Sequence, residues 1–394
     1  MVKQLRAHDQ HDMKLHNRAM IWDLIFSSRP VSRAQLAKTA AMSPTSITRI
    51  VGELSAFGLL VEEPATQVVV GRKATMLDIN REAFFSFGID MDVDAVRTCI
   101  LDLDNQPRLV MEKKLGQSGV PPRDVVETAH EMYLETLKKT GIAREKVKAV
   151  GVSVAGTVDH VNGVVKVSPQ LHWKNLKLRN LFEDRFGMPT IFENDVKAAI
   201  FEEFTRHQEC RVGNIAYLTI GSGIGAALMY GGHLLRGGSN AAGEIGHITV
   251  QPGGELCDCG RHGCLYTCLS EAFLLKKIRR LSTPKADIKS WVQAQRDGEA
   301  WATGVTNEVA GYIAMALNQV LCSYDPQIVI VGGRLIYSHP ELLELALDKK
   351  GFIYEAIRSD VRIMHSLSSN QDAVIGAAIL AKTTYLDRLL GGVS

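Results

Sequence analysis

Near residue 80 the chain changes its periodicity. Before that point apolar residues recur at three- and four-residue spacing, and after it short β-branched runs alternate with helical patterns. A few helices followed by regularly alternating strands and helices fit a small helical module joined to an α/β domain. The length agrees, since 394 residues exceed what one core usually organises, and two or three domains are expected.

In the first segment Met20, Ile21, Leu24 and Ile25 predict a helix over residues 17–26, ended by Arg29-Pro30. Ser32 can cap a second helix over 33–40. Ser43 can cap a third, with Pro44 at the first helical position, where a missing N–H costs nothing. The third helix places Ile47, Ile50, Val51 and Leu54 on one face, leaving Thr45, Ser46, Thr48, Arg49 and Gly52 on the other. Strands over 59–63 and 75–79, with a loop between them, complete a winged helix-turn-helix spanning residues 1–80. Up to Lys73 ten Lys and Arg face six Asp and Glu, so the modest net charge of +2 conceals a basic end. Thr45, Ser46, Thr48 and Arg49 are the side-chain types that reach base edges and phosphates from a helix in the major groove, with Arg49 the base reader. Gly71, Arg72 and Lys73 in the wing suit a narrow minor groove. The rival reading is a protein-interaction module with ordinary solvated charges.

Beyond residue 81 strands are expected over 85–91, 98–103, 149–154, 190–193, 215–221, 225–230 and 328–331. Helices are expected over 122–140, 196–204, 271–281 and 306–322. Two α/β lobes, roughly 81–193 and 194–394, follow from this order. Hydrophobic and charged fractions of 46% and 22% are those of a globular protein. No apolar run reaches the roughly 20 residues of a membrane helix, and residues 1–16 do not resemble a signal peptide. The expectation is a cytoplasmic protein with no membrane insertion.

Of seven cysteines, Cys257, Cys259, Cys264 and Cys268 crowd together. In a reducing compartment such crowding points to metal ligation. His247, Cys257, Cys259 and Cys264 make a closed tetrahedral set for a structural Zn2+, with Cys268 and His262 as lesser candidates. Upstream, Asn194-Asp195 stands where a predicted strand gives way to a helix. Asp195 could serve as base to a sugar hydroxyl and Asn194 could hold neighbouring hydroxyls, although an Asn-Asp pair at this place is by itself more often a helix cap. Glu244 adds a second carboxylate beside His247.

These motifs resemble the ROK proteins, a family of repressors, open reading frames and kinases. The markers are Gly221-Ser222-Gly223-Ile224-Gly225, Gly243-Glu244-Ile245-Gly246-His247, the run from Cys257 to Cys264, and Asp325-Pro326 before Gly332-Gly333. The resemblance implies an actin-like, two-lobed sugar-kinase fold, homodimers or homotetramers, sugar contacts from Asn194, Asp195, Glu244 and His247, and zinc on His247, Cys257, Cys259 and Cys264. Members with a winged helix are typically repressors of sugar-utilisation genes, with a DNA operator and a sugar or sugar-phosphate effector as partners.

Two departures stand out. Kinases of the family resemble Asp-x-Gly-Gly-Thr at the first turn, where this chain has Asp90-Met91-Asp92-Val93-Asp94, so phosphate is expected to be repelled and kinase activity absent. Tyr266 stands where a sugar-contacting Glu is usual, and Gln170 where Asn is common. The expected function is a sugar-controlled repressor, not an enzyme. The rivals are a sugar kinase with a DNA-binding arm and a regulator controlled by a protein of a sugar transport system.

Overall fold

The computed structural model describes residues 10–64, 75–115, 120–207, 210, 213–349, 351–367 and 371–391. At the N-terminal end α1 (Gln10–Ser28), α2 (Arg33–Thr39) and α3 (Pro44–Ala56) pack with a small sheet of β1 (Val31–Ser32), β2 (Leu60–Pro64) and β3 (Thr75–Ile79), in the order β1-β3-β2. Both expected caps form. Ser32 makes a capping box with Gln35, and the Ser43 side chain accepts the Ser46 N–H. Ile47, Ile50, Val51 and Leu54 turn inward as the spacing requires, onto Ile21, Ile25 and Leu36. β1 was not anticipated, because two residues are too few to carry a pattern.

The first lobe follows as β4 (Phe85–Met91), β5 (Ala95–Leu101), β6 (Pro107–Lys114), α4 (Pro122–Thr140), β7 (Val147–Val154), β8 (Thr157–Asp159), β9 (Val164–Ser168), β10 (Trp173–Lys177), α5 (Arg179–Phe186) and β11 (Thr190–Asn194). Its main sheet runs β11-β7-β4-β5-β6, parallel from β11 to β4 and antiparallel beyond. Helix α6 (Asp195–Arg206) leads to the second lobe: β12 (Ile215–Ile220), β13 (Ile224–Tyr230), β14 (His233–Leu234), α7 (Leu265–Leu269), α8 (Glu271–Leu281), α9 (Ile288–Arg296), α10 (Ala300–Tyr324), β15 (Ile328–Gly332), α11 (Arg334–Ser338), α12 (Glu341–Leu347), α13 (Glu355–Arg358) and β16 (Arg362–His365). Its sheet, β14-β13-β12-β15-β16, repeats the plan of the first, with three antiparallel strands continued on one side by two parallel ones.

The last helix, α14 (Asp372–Leu390), does not stay with the second lobe. A cut of the lobes at residue 193 therefore misplaces it. Val374, Ile375, Ala378 and Ile379 share a core with Cys99 and Leu101 of β5. Glycines permit the close approach. A Cβ on Gly151 of β7 would lie 1.9 Å from the Ala377 oxygen, and one on Gly376 would lie 1.8 Å from the Ala198 oxygen of α6. At its far end α14 enters the winged-helix core through Leu386 and Leu390. There the Arg18 guanidinium donates to the Leu390 oxygen at 2.6 and 3.0 Å. One helix thus joins the first lobe, α6 and the N-terminal module. Among the described residues no helix is long and apolar enough to cross a membrane.

Candidate functional site

A cleft opens between the lobes where β4, β11 and β12 end. Asp195 lines it, at the first position of α6, beside Glu244, His247, Tyr266 and Gln170. Gly243 makes the approach of Glu244 possible. Its φ is +89°, and a Cβ there would fall 1.7 Å from the Ala226 oxygen. Burial, reinforced by Asp90 and Asp92, pushes the Asp195 carboxyl up to about 8, so near neutral pH it is a donor as well as an acceptor.

Asn194 has a different task from the one expected of a hydroxyl-binding amide. Its Oδ1 caps α6 by accepting the Lys197 N–H at 3.0 Å, while Nδ2 donates to the Gly156 oxygen and to Asp195 Oδ1 at 3.0 and 2.7 Å. Both amide hydrogens are committed, so Asn194 holds Asp195 in place. Lys197 was not singled out from the sequence. Its buried Nζ donates to the Asn240 oxygen at 2.9 Å, with Glu244, Glu193 and Asp195 nearby. The only prior signal was a Lys two residues past a site carboxylate.

The loop that follows draws His247, Cys257, Cys259 and Cys264 together, their ligand atoms all within 4.8 Å of one another. Metal–ligand bonds of ~2.3 Å to sulfur and ~2.0 Å to nitrogen at tetrahedral angles place sulfurs ~3.8 Å apart and sulfur ~3.6 Å from nitrogen. Cys259 Sγ lies 3.6 Å from Cys264 Sγ, and Cys257 Sγ lies 3.6 Å from His247 Nδ1. The residues therefore fit a tetrahedral ion. With Nδ1 toward the sulfurs, Nε2 is the His247 nitrogen left for the cleft that the residue lines. Neither rival ligand belongs to the set. His262 Nδ1 lies 3.0 Å from the Gly254 oxygen, and Cys268 faces Thr267 and Gln251.

At the other end of the cleft, residues 92–94 form a tight turn in which the Asp92 N–H donates to the Ala95 oxygen. Its carboxylates are not bare, which corrects the expectation of simple repulsion. Arg97 binds Asp90, Asp92 and Glu112 at 3.2, 3.0 and 2.8 Å. Arg334, one residue past Gly332-Gly333, reaches across from the second lobe to Asp94 at 3.4 Å and holds Glu271 at 3.2 Å. This end of the cleft is filled by ion pairs. Beside it Asp372, at the start of α14, accepts from Tyr217 and Tyr337 at 2.5 and 2.7 Å.

The two departures meet. Gln170 Nε2 of the first lobe donates to the Ser222 oxygen of the second at 3.2 Å, and Tyr266 lines the same cleft. Burial raises the Tyr266 hydroxyl, keeping it protonated.

On the N-terminal module Thr45, Thr48 and Arg49 are exposed on α3, and Ser46 is half-buried. Ser46 Oγ accepts from Ser43, the Thr48 hydroxyl donates to the Pro44 oxygen, and Arg49 pairs with Glu53 at 3.0 Å. Arg72 and Lys73 lie outside the described residues.

Likeness to known proteins follows the same lines. The xylose repressor of Bacillus spizizenii is 24% identical over 380 residues, covering 96% of this chain and 98% of that repressor. The N-acetylglucosamine repressor of Escherichia coli O6:H1 is 24% identical over 397 residues, covering 96% and 95%. Among solved structures, a ROK family transcriptional regulator that is a homolog of the E. coli MLC protein superposes with a TM-score of 0.78 at 23% identity, over 96% of this chain and 98% of that one. A ROK family glucokinase from Streptomyces griseus, in complex with glucose and AMPPNP, gives 0.65 at 24% identity, over 76% and 99%. The fold is thus the two-lobed, sugar-kinase-like fold, here preceded by a winged helix. Residues 86–384 match the sequence model of the ROK family, and with that match over three quarters of its length the chain belongs to the ROK family.

Proposed function

We propose that this protein is a DNA-binding repressor of carbohydrate-utilisation genes, controlled by a sugar bound between its lobes. One observation carries the reading: α14 starts at the cleft with Asp372 and ends inside the winged-helix core with Leu386 and Leu390. A ligand that favours one lobe arrangement has a continuous element through which to bias the other end. An effector acts only through different affinities for two states, and couplings of this kind are typically about 1–3 kcal/mol, roughly 5- to 150-fold in DNA affinity. The repressors named among its relatives support this assignment.

In the cleft Asp195, Glu244 and His247 take the sugar hydroxyls, and Asn194 acts by orienting Asp195. The loop ion is zinc, held by His247, Cys257, Cys259 and Cys264 in a structural role, since four protein ligands leave no position for water. Its charge would fix His247 as an Nε2 donor. Thr45, Ser46, Thr48 and Arg49 meet the major groove, and Arg72 and Lys73 the minor groove. A homodimer or homotetramer presents two such modules to a two-fold operator. The protein works as a regulator and not as a kinase, because the 92–94 turn, where kinases of the family carry glycines, holds Asp92 against Arg97 and Arg334.

Selection of genomic fragments by the full-length protein tests the assignment. Enrichment of sites beside carbohydrate genes is expected; no enrichment over random fragments, or ADP release from ATP in the presence of a sugar at enzymatic rates, contradicts it.

A further inference from the structure

Among the described residues the cleft is lined by two Arg and one Lys, Arg97, Arg334 and Lys197, and each is already engaged. Lys197 is buried and donates to the Asn240 oxygen, with the Glu244, Glu193 and Asp195 carboxylates acting on it. Arg97, also buried, is shared by Asp90, Asp92 and Glu112. Arg334 is shared by Asp92, Asp94 and Glu271. Two guanidinium groups therefore sit among five carboxylates. An incoming phosphate gains a cation only by displacing a carboxylate, and it then faces those that remain, of which Asp90, Asp92 and Glu271 are shielded from solvent. The turn carrying Asp92 and Asp94 has no glycine, and its Asp92 and Val93 N–H groups are spent on the Ala95 oxygen and Asp92 Oδ1. Those two N–H groups cannot take the place of the missing cations. The opposite wall suits an uncharged ligand. Tyr266 offers a neutral hydroxyl and a flat ring, and the uncharged amide of Gln170 lines the cleft with it from the facing lobe.

We infer that the cleft selects an uncharged polyol and rejects its phosphate ester, with the Asp92–Arg97 and Asp94–Arg334 pairs as the discriminating elements. The inference rests on the reading that a sugar is the effector and decides which chemical form of it binds.

Calorimetric titration of the full-length protein with D-xylose, D-glucose and N-acetyl-D-glucosamine, each beside its monophosphate, tests it. An unesterified sugar should bind at least about tenfold more tightly than its ester. An ester that binds as well or better overturns the inference and leaves the sugar reading standing. Binding of neither set overturns both. In the variant Asp92→Asn/Asp94→Asn, which takes one carboxylate from Arg97 and two from Arg334 while keeping side-chain shape, the preference should shrink by about tenfold or more. Glu271→Gln releases Arg334 from the other side and should shrink it in the same direction if the double variant does not fold. An unchanged ratio in the folded variants removes these pairs from the explanation.

Discussion

Substituting Gly376→Ala puts the contact between α14 and α6 to a quantitative test. The new Cβ would sit 1.8 Å from the Ala198 oxygen and 2.5 Å from its carbonyl carbon, both backbone atoms that no rotamer change can move. Restoring an ordinary contact requires the helices to part by roughly 1.4 Å, and overpacking on this scale costs about 1–3 kcal/mol, with a rigid backbone clash toward the upper end. Alanine recovers up to ~1 kcal/mol through helix propensity, leaving a net loss of about 2 kcal/mol. For a chain of this size that corresponds to a fall in thermal midpoint of roughly 2–3 °C, read by circular dichroism or scanning calorimetry. Gly52→Ala is the matched control, since its Cβ meets nothing within 4 Å and should leave the midpoint unchanged or slightly raised. Because α6 begins with Asp195 and α14 with Asp372, sugar binding should weaken along with stability. A Gly376→Ala protein with the midpoint of its parent would refute the packing on which the coupling between cleft and winged helix depends.

Three further outcomes are expected. The purified protein should carry one zinc per chain by plasma mass spectrometry, and Cys259→Ser or prolonged chelation should lower both zinc content and thermal midpoint; full stability without metal would argue against a structural ion. Asp195 ionises near 3.8 in an unfolded chain but at about 8 in the fold, so the folded state binds the extra proton between those values and loses stability as pH rises through them. Asp195→Asn should therefore gain in thermal midpoint over the wild type as pH goes from 6 to 9, and a constant difference would contradict the raised carboxyl. Arg49→Ala should weaken operator binding by about 1–3 kcal/mol, measured by fluorescence anisotropy, while its exposed pairing with Glu53 adds under ~1 kcal/mol to stability. Unaltered DNA affinity would take Arg49 off the interface.

Much of this architecture was legible because local rules were strong where they were used. The serine caps, Pro44 at the start of α3 and the inward Ile47, Ile50, Val51 and Leu54 all obey short-range chemistry, and the cysteine spacing needs only a tight loop. Helix α14 was missed for the opposite reason. Residues 374–381 are buried on every side, against the first-lobe sheet and α6, so they show no polar stripe from which a helical period can be read. The short strands β8–β10 carry too few residues for a pattern. Site residues followed the same division. Asp195 and Glu244 stood in recognisable motifs, whereas Lys197 and Arg334 acquire their meaning only from carboxylates brought in from distant segments. Asn194 was found with both a cap and a sugar ligand as readings, and its hydrogen bonds show the cap.

The most direct measurement is the anisotropy of a labelled operator, recovered from bound genomic fragments, as sugar is titrated into its complex with the full-length protein. The account predicts saturable release by one uncharged sugar, abolished in Asp195→Ala. Release by none, or release that survives loss of Asp195, would contradict it.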